Sequence, residues 1–442
     1  MSANSALFKT TIYALSSGGL PSGVAIIRIS GSGVQDALRL LIGEIPLPRQ
    51  ALFRRIRNER GETLDRGLVL FFQGPHSFTG EDCVELHLHG SRAVVAAVLA
   101  LLGSLPGFRL AEAGEFTRRA FINGKMDLTE AEALSDLVAA ETEIQRRLAM
   151  QNADGSQRDL YNGWSRRLLQ ARALIEAELD FADEADVPGS VSDQVWSDMA
   201  ALIEEIESHL TGFHASEIIR EGFRVVLVGA PNAGKSSLLN ALAQRDVAIV
   251  TDIPGTTRDL VEVALDIEGF KVIVTDTAGL RATEDVVERI GVERAIGAVK
   301  GADLILSLTE PGGNPADLTP TPSAPVVLVR TKCDVASPLA GAQIEISSAT
   351  GQGIADLLYL IGDHARKAVN VGETTIPSRL RHKELLSVAG DHIGMAVMGT
   401  GRDLELRAEE LRLAAISLGR ITGKTDVEEL LDVIFSEFCI GK

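Results

Sequence analysis

The chain has 442 residues, more than one ordinary core can use, and at about 150 residues per domain it divides into roughly three. Apolar residues make up 45% and charged residues 24%, a globular balance, while 43 Lys and Arg against 61 Asp and Glu leave a formal charge of −18. That field excludes a chain that coats nucleic acid or an anionic membrane through its overall charge. Any RNA contact must use a local basic patch or a partner.

Three cysteines occur, Cys83, Cys333 and Cys439, with no CxxC pair. This fits a reducing compartment and argues against a disulfide scaffold or a cysteine-rich zinc site. Aromatic residues at 4% argue against a broad base-stacking platform. The start, "MSANSALFKTTIYALSS", lacks a charged stretch ahead of an apolar one, and the longest apolar run, Val94 to Leu102, is too short for a bilayer. The expectation is a cytoplasmic protein with no membrane contact.

In chain order, "GVAIIRISG" and "RGLVLFFQ" read as strands, rich in β-branched or aromatic residues and bounded by glycine. "VQDALRLLIG" and "SRAVVAAVLALLG" read as helices. From Thr129 to about Leu210, Ala, Leu, Glu, Arg and Gln recur at three-to-four spacing, interrupted near "DEADVPGS", which predicts long bundled helices. An α/β texture follows, with strands over Arg224 to Val228, Val261 to Ile267, Lys271 to Thr275, Leu304 to Leu308, Val326 to Arg330 and Ile344 to Ile346. From Pro377 helical texture returns to the end. The economical fold class is multidomain α/β plus all-α, with the α/β module inserted into a helical domain.

"GAPNAGKS", Gly229 to Ser236, matches G-x-x-x-x-G-K-[ST] between a strand and an apolar helix. Its glycines let backbone amides curl around phosphates, Lys235 reaches the terminal phosphates and Ser236 ligates magnesium. "DTAG", Asp276 to Gly279, follows a strand and suits the magnesium shell and the terminal phosphate. "TKCD", Thr331 to Asp334, is similar to the guanine-reading N-K-x-D of GTPases, with Thr in the Asn position, and "SSAT" at Ser347 to Thr350 would cover the base. Leu280 stands where a Ras-type water-positioning Gln would be, so hydrolysis needs another group. In "VELHLHG", alternation puts Glu85, His87 and His89 on one strand face; a His-x-His metal pair is possible, hydrogen-bonded sheet histidines the plainer reading. The ending "FCIGK" does not fit prenylation, because Gly441 occupies an aliphatic slot and Lys442 is last. Cys439 is then either a core residue or a reactive thiol at a tip.

Together "TDIPGTTRD", "DTAGLRATEDVVERIG" and "FCIGK", with "PHSFTGEDCVELHLHG" and "GEFTRRAFINGKMDLTEAEALSDLV", resemble the MnmE (TrmE) family of tRNA modification GTPases over essentially the whole chain. The resemblance implies an α+β folate-binding and dimerisation domain at 1–124, a helical domain in two parts at 125–219 and 378–442, and a Ras-like P-loop GTPase domain at 220–377. It implies GTP contacts from Asn232, Ala233, Gly234, Lys235, Ser236, Ser237, Thr251, Thr256, Thr257, Asp276, Thr277, Ala278, Gly279, Thr331, Lys332, Asp334, Ser347, Ser348 and Ala349. Magnesium falls to Ser236 and Thr257, and a potassium ion, in place of an arginine finger, to Asn232, Thr251, Ile253 and Thr256. Glu288 matches the water-orienting glutamate; unaided, it reads as an ordinary acid in a helix's first turn. Arg28, Glu85, Lys125 and Lys442 match a site for a tetrahydrofolate derivative, in 5,10-methylene or formyl form, and Cys439 would stand beside its one-carbon unit. The implied activity is GTP hydrolysis by a homodimer that joins MnmG (GidA), carrying FAD and NADH, in a heterotetramer or larger complex. That complex would install an aminomethyl or carboxymethylaminomethyl group on carbon 5 of uridine 34 of certain tRNAs. A pure switch GTPase that recruits or times a partner is the alternative, and it would need neither "FCIGK" nor the folate-matching positions.

Overall fold

A computed structural model describes residues 9–180, 191–249, 262–276, 296–315, 321–335, 342–369, 375–399, 403–425, 428–436, 438 and 440–441. The chain divides into two compact units, Met1–Ser135 with Gly419–Lys442, and Asp136–Leu418.

The first unit is built on a six-stranded sheet in the order β3-β4-β5-β2-β1-β6. Its strands are β1 (Thr11–Leu15), β2 (Ser22–Ser30), β3 (Leu52–Arg57), β4 (Thr63–Phe72), β5 (Cys83–Gly90) and β6 (Phe108–Leu110), antiparallel except for the parallel β1–β6 pair. Period-two alternation sends Ala25, Ile27 and Ile29 of β2, Val69 and Phe71 of β4, and Val84, Leu86 and Leu88 of β5 into one core. Helices α1 (Val34–Ile42) and α2 (Arg92–Gly103) cover that face with Val34, Leu38, Leu41, Val95, Val98 and Leu102. Burying each of these side chains stabilises by roughly 1.5–3 kcal/mol before chain entropy is subtracted. The same alternation leaves Arg28, Ser30, Glu85 and His87 on the opposite face. Helix α3 (Glu115–Ile122) brings Phe116 to that side, packed with Ile12, Ala14 and Ala111.

In the second unit, α4 (Leu128–Ala139, which begins in the first) and α5 (Glu143–Ala153) precede the long α6 (Ser156–Asp180) and α7 (Val191–Thr211). Buried residues recur on α6 at Tyr161, Trp164, Leu168, Ala171 and Ile175, and on α7 at Val195, Met199, Leu202 and Ile206. This three-four repeat makes a coiled-coil-like seam. The helices run antiparallel, since Tyr161 bonds His209, Trp164 bonds Glu205 and Arg167 bonds Asp198.

After α8 (Phe213–Glu221) comes a second six-stranded sheet, ordered β12-β11-β10-β7-β9-β8. It comprises β7 (Phe223–Gly229), β8 (Glu262–Ile267), β9 (Phe270–Asp276), β10 (Leu304–Thr309), β11 (Val326–Arg330) and β12 (Ile344–Glu345). All neighbours are parallel except β8–β9. These strands match the six predicted ones to within a residue or two. Helices α9 (Lys235–Ala243) and α10 (Ile354–Ala368) bury Leu238, Leu239, Leu242, Leu357 and Ile361 against the sheet. The chain leaves β7 towards β8 and β9 but leaves β10 towards β11, so the connections diverge between β7 and β10, and in such sheets ligands bind beyond the carboxyl ends of the strands at that crevice. The fold is multidomain α/β plus all-α, with a Ras-like P-loop module flanked on both sides by helical chain.

Candidate functional site

The phosphate loop lies at this switch point. Asn232 has φ 65, a left-handed conformation that asparagine tolerates better than most residues, and Gly234, with φ 93, opens helix α9. The backbone amides at the start of α9 therefore face the end of the crevice, ready for an anion. Ala233 and Lys235 are buried. Lys235 Nζ donates to the carbonyls of Gly229 and Ala230 at 2.8 and 2.9 Å, which holds its charge inside the loop. Ser236 Oγ donates to Asp276 Oδ2 at 2.6 Å, and Asp276, at the end of β9, is 2% exposed. Two hard oxygen donors converging beside a lysine in a phosphate cradle are a donor set that suits magnesium.

The loops expected to read the base lie two and three strands further along. Thr331 is 2% exposed; its amide donates to Thr309 O at 2.8 Å, and its hydroxyl bonds Ala233 O at 2.8 Å and Thr309 O at 3.2 Å. The threonine in the asparagine position thus bolts the end of β11 to the phosphate loop. Lys332 has φ 58 and pairs with Glu310 at 2.6 Å, and Asp334 is exposed. The Cys333 amide donates to Ile346 O at 3.1 Å, fastening this turn to the loop that carries Ser347, Ser348 and Ala349. Burial, then Asp334 and Glu345, push the Cys333 thiol up from its ordinary pKa, so it is a poor nucleophile at neutral pH. Ser237 follows on α9, completing the phosphate-loop set. Thr251, Ile253, Thr256, Thr257, Thr277, Ala278, Gly279 and Glu288 lie outside the described residues, as do Cys439 and Lys442.

A second polar cluster occupies the open face of the first sheet. Arg28 and Glu85 are cross-strand partners, and Arg28 Nε and Nη2 donate to Glu85 Oε1 at 3.1 and 3.0 Å. The guanidinium also stands over the rings of Phe78, at 5.4 Å, and Phe116, at 5.6 Å. His87 Nε2 is 3.4 Å from Glu85 Oε2, whereas His89 turns to Asp65 at 2.8 Å. Lys125 Nζ donates to Pro75 O at 2.8 Å, in the loop that supplies Phe78. Beneath lies a network invisible to sequence reasoning: Arg119, 1% exposed, bonds Glu115, Glu81 and Thr10 O, while Ser30 bonds Thr79 and Glu81. No motif signals it, because arginine is a surface residue by default and Arg119 is buried by contacts up to 109 residues away.

At the chain end Ile440 pairs with Ala113 in an antiparallel bridge, and Ser16 Oγ donates to Gly441 O at 2.8 Å. Gly441 has φ 101, and a Cβ there would run into the Leu15 carbonyl, so this turn requires glycine. Leu15 follows Ala14, the cross-strand partner of Arg28.

Two family models match, the GTP-binding protein TrmE N-terminus over residues 11–125 and the MnmE helical domain over 128–439. The tRNA modification GTPase MnmE of Brucella canis is 56% identical over 436 residues, 98% of this chain and 99% of that one. The chain belongs to the MnmE family. The Brucella anthropi MnmE is 55% identical over 438 residues, 99% of each chain. Among solved structures, a point variant of Aquifex aeolicus Era bound to GDP.AlF4- is 26% identical, over 38% of this chain and 66% of that one, with a TM-score of 0.26. For an MnmE chain the phosphate loop and the Arg28–Glu85 face are two separate centres, one in each compact unit.

Proposed function

We propose that this chain is a potassium-dependent GTPase, activated by dimerisation, that works with MnmG to modify carbon 5 of uridine 34 in certain tRNAs. As a member of the MnmE family it is a GTP hydrolase. The observation that supports the nucleotide chemistry best is the convergence of Lys235 with the Ser236–Asp276 pair, 2.6 Å apart, at the mouth of a parallel sheet. In this reading, amides from Asn232 to Ser237 cradle the phosphates, Lys235 offsets the charge on the transferred group, and Ser236 with Thr257 holds magnesium. The bolt from Thr331 to Ala233 keeps the cradle in register with Lys332 and Asp334, which receive the guanine, under Ser347, Ser348 and Ala349. Asn232, with Thr251, Ile253 and Thr256, holds the potassium ion, which supplies a fixed positive charge near the breaking bond; Thr277, Ala278 and Gly279 bring backbone to the terminal phosphate and Glu288 orients water.

The open face of the first sheet is the proposed folate site. Glu85 accepts the guanidine-like edge of a pterin, a role its present bonds to Arg28 support, since Arg28 presents that same chemical edge. Phe78 and Phe116 already hold one planar cation and suit a second flat ring. Lys125 and Lys442 serve the glutamate tail, and Cys439 stands next in sequence to Ile440, which is pinned at Ala113. The one-carbon unit is supplied by the folate when bound, while FAD and NADH belong to MnmG. Replacing Cys439→Ser separates the two centres. GTP turnover should persist while modified uridine 34, measured by mass spectrometry of tRNA, falls strongly; full modification by the variant would remove the tail from the mechanism.

A further inference from the structure

We propose that the solvent-facing strip of the β3–β4 hairpin is an RNA-docking surface, where Arg55 and Arg66 hold phosphates and Phe53 stacks on a base. The register puts Arg55 directly opposite Arg66, and Phe53 directly opposite Leu68. Both arginines are exposed, Phe53 is 61% exposed and Leu68 41%. Like charges directly opposite each other across a strand pair are destabilising, and a carboxylate beside them would offset this. Here, among the described residues, neither guanidinium has one, although the neighbouring Arg54 is paired with Glu44 at 2.6 Å. Yet acids outnumber bases in this chain by 61 to 43, so the gap at this pair does not come from a shortage of carboxylates. An anionic partner that arrives from outside completes the pair. The unit that carries the hairpin, Met1–Ser135 with Gly419–Lys442, has 17 Lys and Arg against 18 Asp and Glu, so the acidic excess, which would repel a polyanion, lies in the other unit.

The chemistry favours RNA over an acidic peptide. Two guanidiniums in adjacent strands can each take a phosphate, and an exposed ring on the same face offers the stacking that unpaired bases use. β3 is the edge of its sheet, so a flexible strand can approach without obstruction from a neighbouring strand. The hairpin's position points the same way. Leu68 pairs with His87, Leu70 with Glu85, and Glu85 with Arg28, so one continuous face runs from Arg55 and Phe53 to the proposed folate site. Three strand spacings, about 14 Å, separate β3 from β2. A nucleotide held at the hairpin therefore brings its neighbours over Glu85. This placement rests on the tRNA-modification reading, and its test reads binding alone.

The test is fluorescence anisotropy of a labelled anticodon stem-loop RNA titrated with the full chain at several salt concentrations. Arg55→Glu with Arg66→Glu should weaken binding at least about tenfold and lower the slope of log K against log salt by roughly 1 to 2. Phe53→Ala should weaken binding with the slope unchanged, and Arg39→Gln, whose side chain pairs with Asp36 on α1, should leave both as in the wild type. If charge reversal impairs folding, Arg55→Gln with Arg66→Gln removes the repulsion and should still lose affinity. Unchanged affinity and slope in the glutamine double variant would overturn the proposal. So would a wild-type chain that binds no RNA at low salt, or polyglutamate displacing RNA as well as unlabelled RNA does. Dissociation of an oligomer by Phe53→Ala, with RNA binding intact, would assign the strip to a second copy of the chain instead. Failure of the tRNA-modification reading would appear elsewhere, as uridine 34 left unmodified by the wild-type chain.

Discussion

Thr331 shows how a change of side chain at one motif position changes the bonds it can make. An amide at this position can donate twice, but a hydroxyl has one proton, and here that proton is shared between two buried carbonyls, Ala233 O and Thr309 O. Thr331→Val keeps the volume and removes that donor. Leaving a buried carbonyl unsatisfied costs roughly 1–2 kcal/mol, so GTP affinity measured by calorimetry should fall by about tenfold. An unchanged affinity would mean the loop holds its shape without the bolt. The tie itself could not be read from the sequence, where Ala233 and Thr331 stand 98 residues apart, although the motif did mark both positions. Arg28 and Glu85 are a similar case: each was marked, but their mutual ion pair depends on the β2–β5 register, which alternation alone does not fix.

At the scale of elements, the chain that returns from the α/β module to the helices is held by side chains aimed at successive carbonyls. His209 Nδ1 donates to Thr375 O at 2.9 Å, Gln157 to Ile376 O at 2.6 Å, and Ser216 to Pro377 O. Because a carbonyl can only accept, His209 carries its proton on Nδ1, and Nε2 accepts from the Tyr161 hydroxyl at 3.0 Å. Burial lowers the His209 pKa from 6.5 to about 4. The folded state thus binds this proton less readily than the unfolded chain, for which the ordinary value near 6.5 applies. His209's stabilising contribution is complete above pH 6.5 and is lost as pH falls towards 4, by an amount on the order of 3 kcal/mol. Urea unfolding of wild type and His209→Gln should show the wild-type stability falling more steeply between pH 6.5 and 4.5, and parallel curves would contradict this. The helices around this clamp were legible, since buried positions at three-four spacing leave a periodic trace in α6 and α7. The clamp was not, because Thr375 meets a residue 166 positions away through its backbone, and a carbonyl has no residue type to read.

For the whole molecule, the two candidate centres fall in different compact units: the phosphate loop with Thr331 to Asp334 in one, Arg28 and Glu85 in the other. The charge is divided as well, and the formal −18 conceals a hairpin on which Arg55 and Arg66 face each other. A total charge cannot disclose such a patch, because it appears only when strand register brings two arginines opposite. In the proposed mechanism, with Leu280 in the place of a Ras-type glutamine, hydrolysis depends on Glu288, on a cation held by Asn232 and its partners, and on a second copy of the module. The most direct measurement of that dependence is GTP turnover per chain against protein concentration, in potassium and in sodium at equal ionic strength. The account predicts that turnover per chain rises with concentration in potassium and drops in sodium by on the order of a hundredfold. A rate that is independent of concentration and equal in the two salts would contradict it.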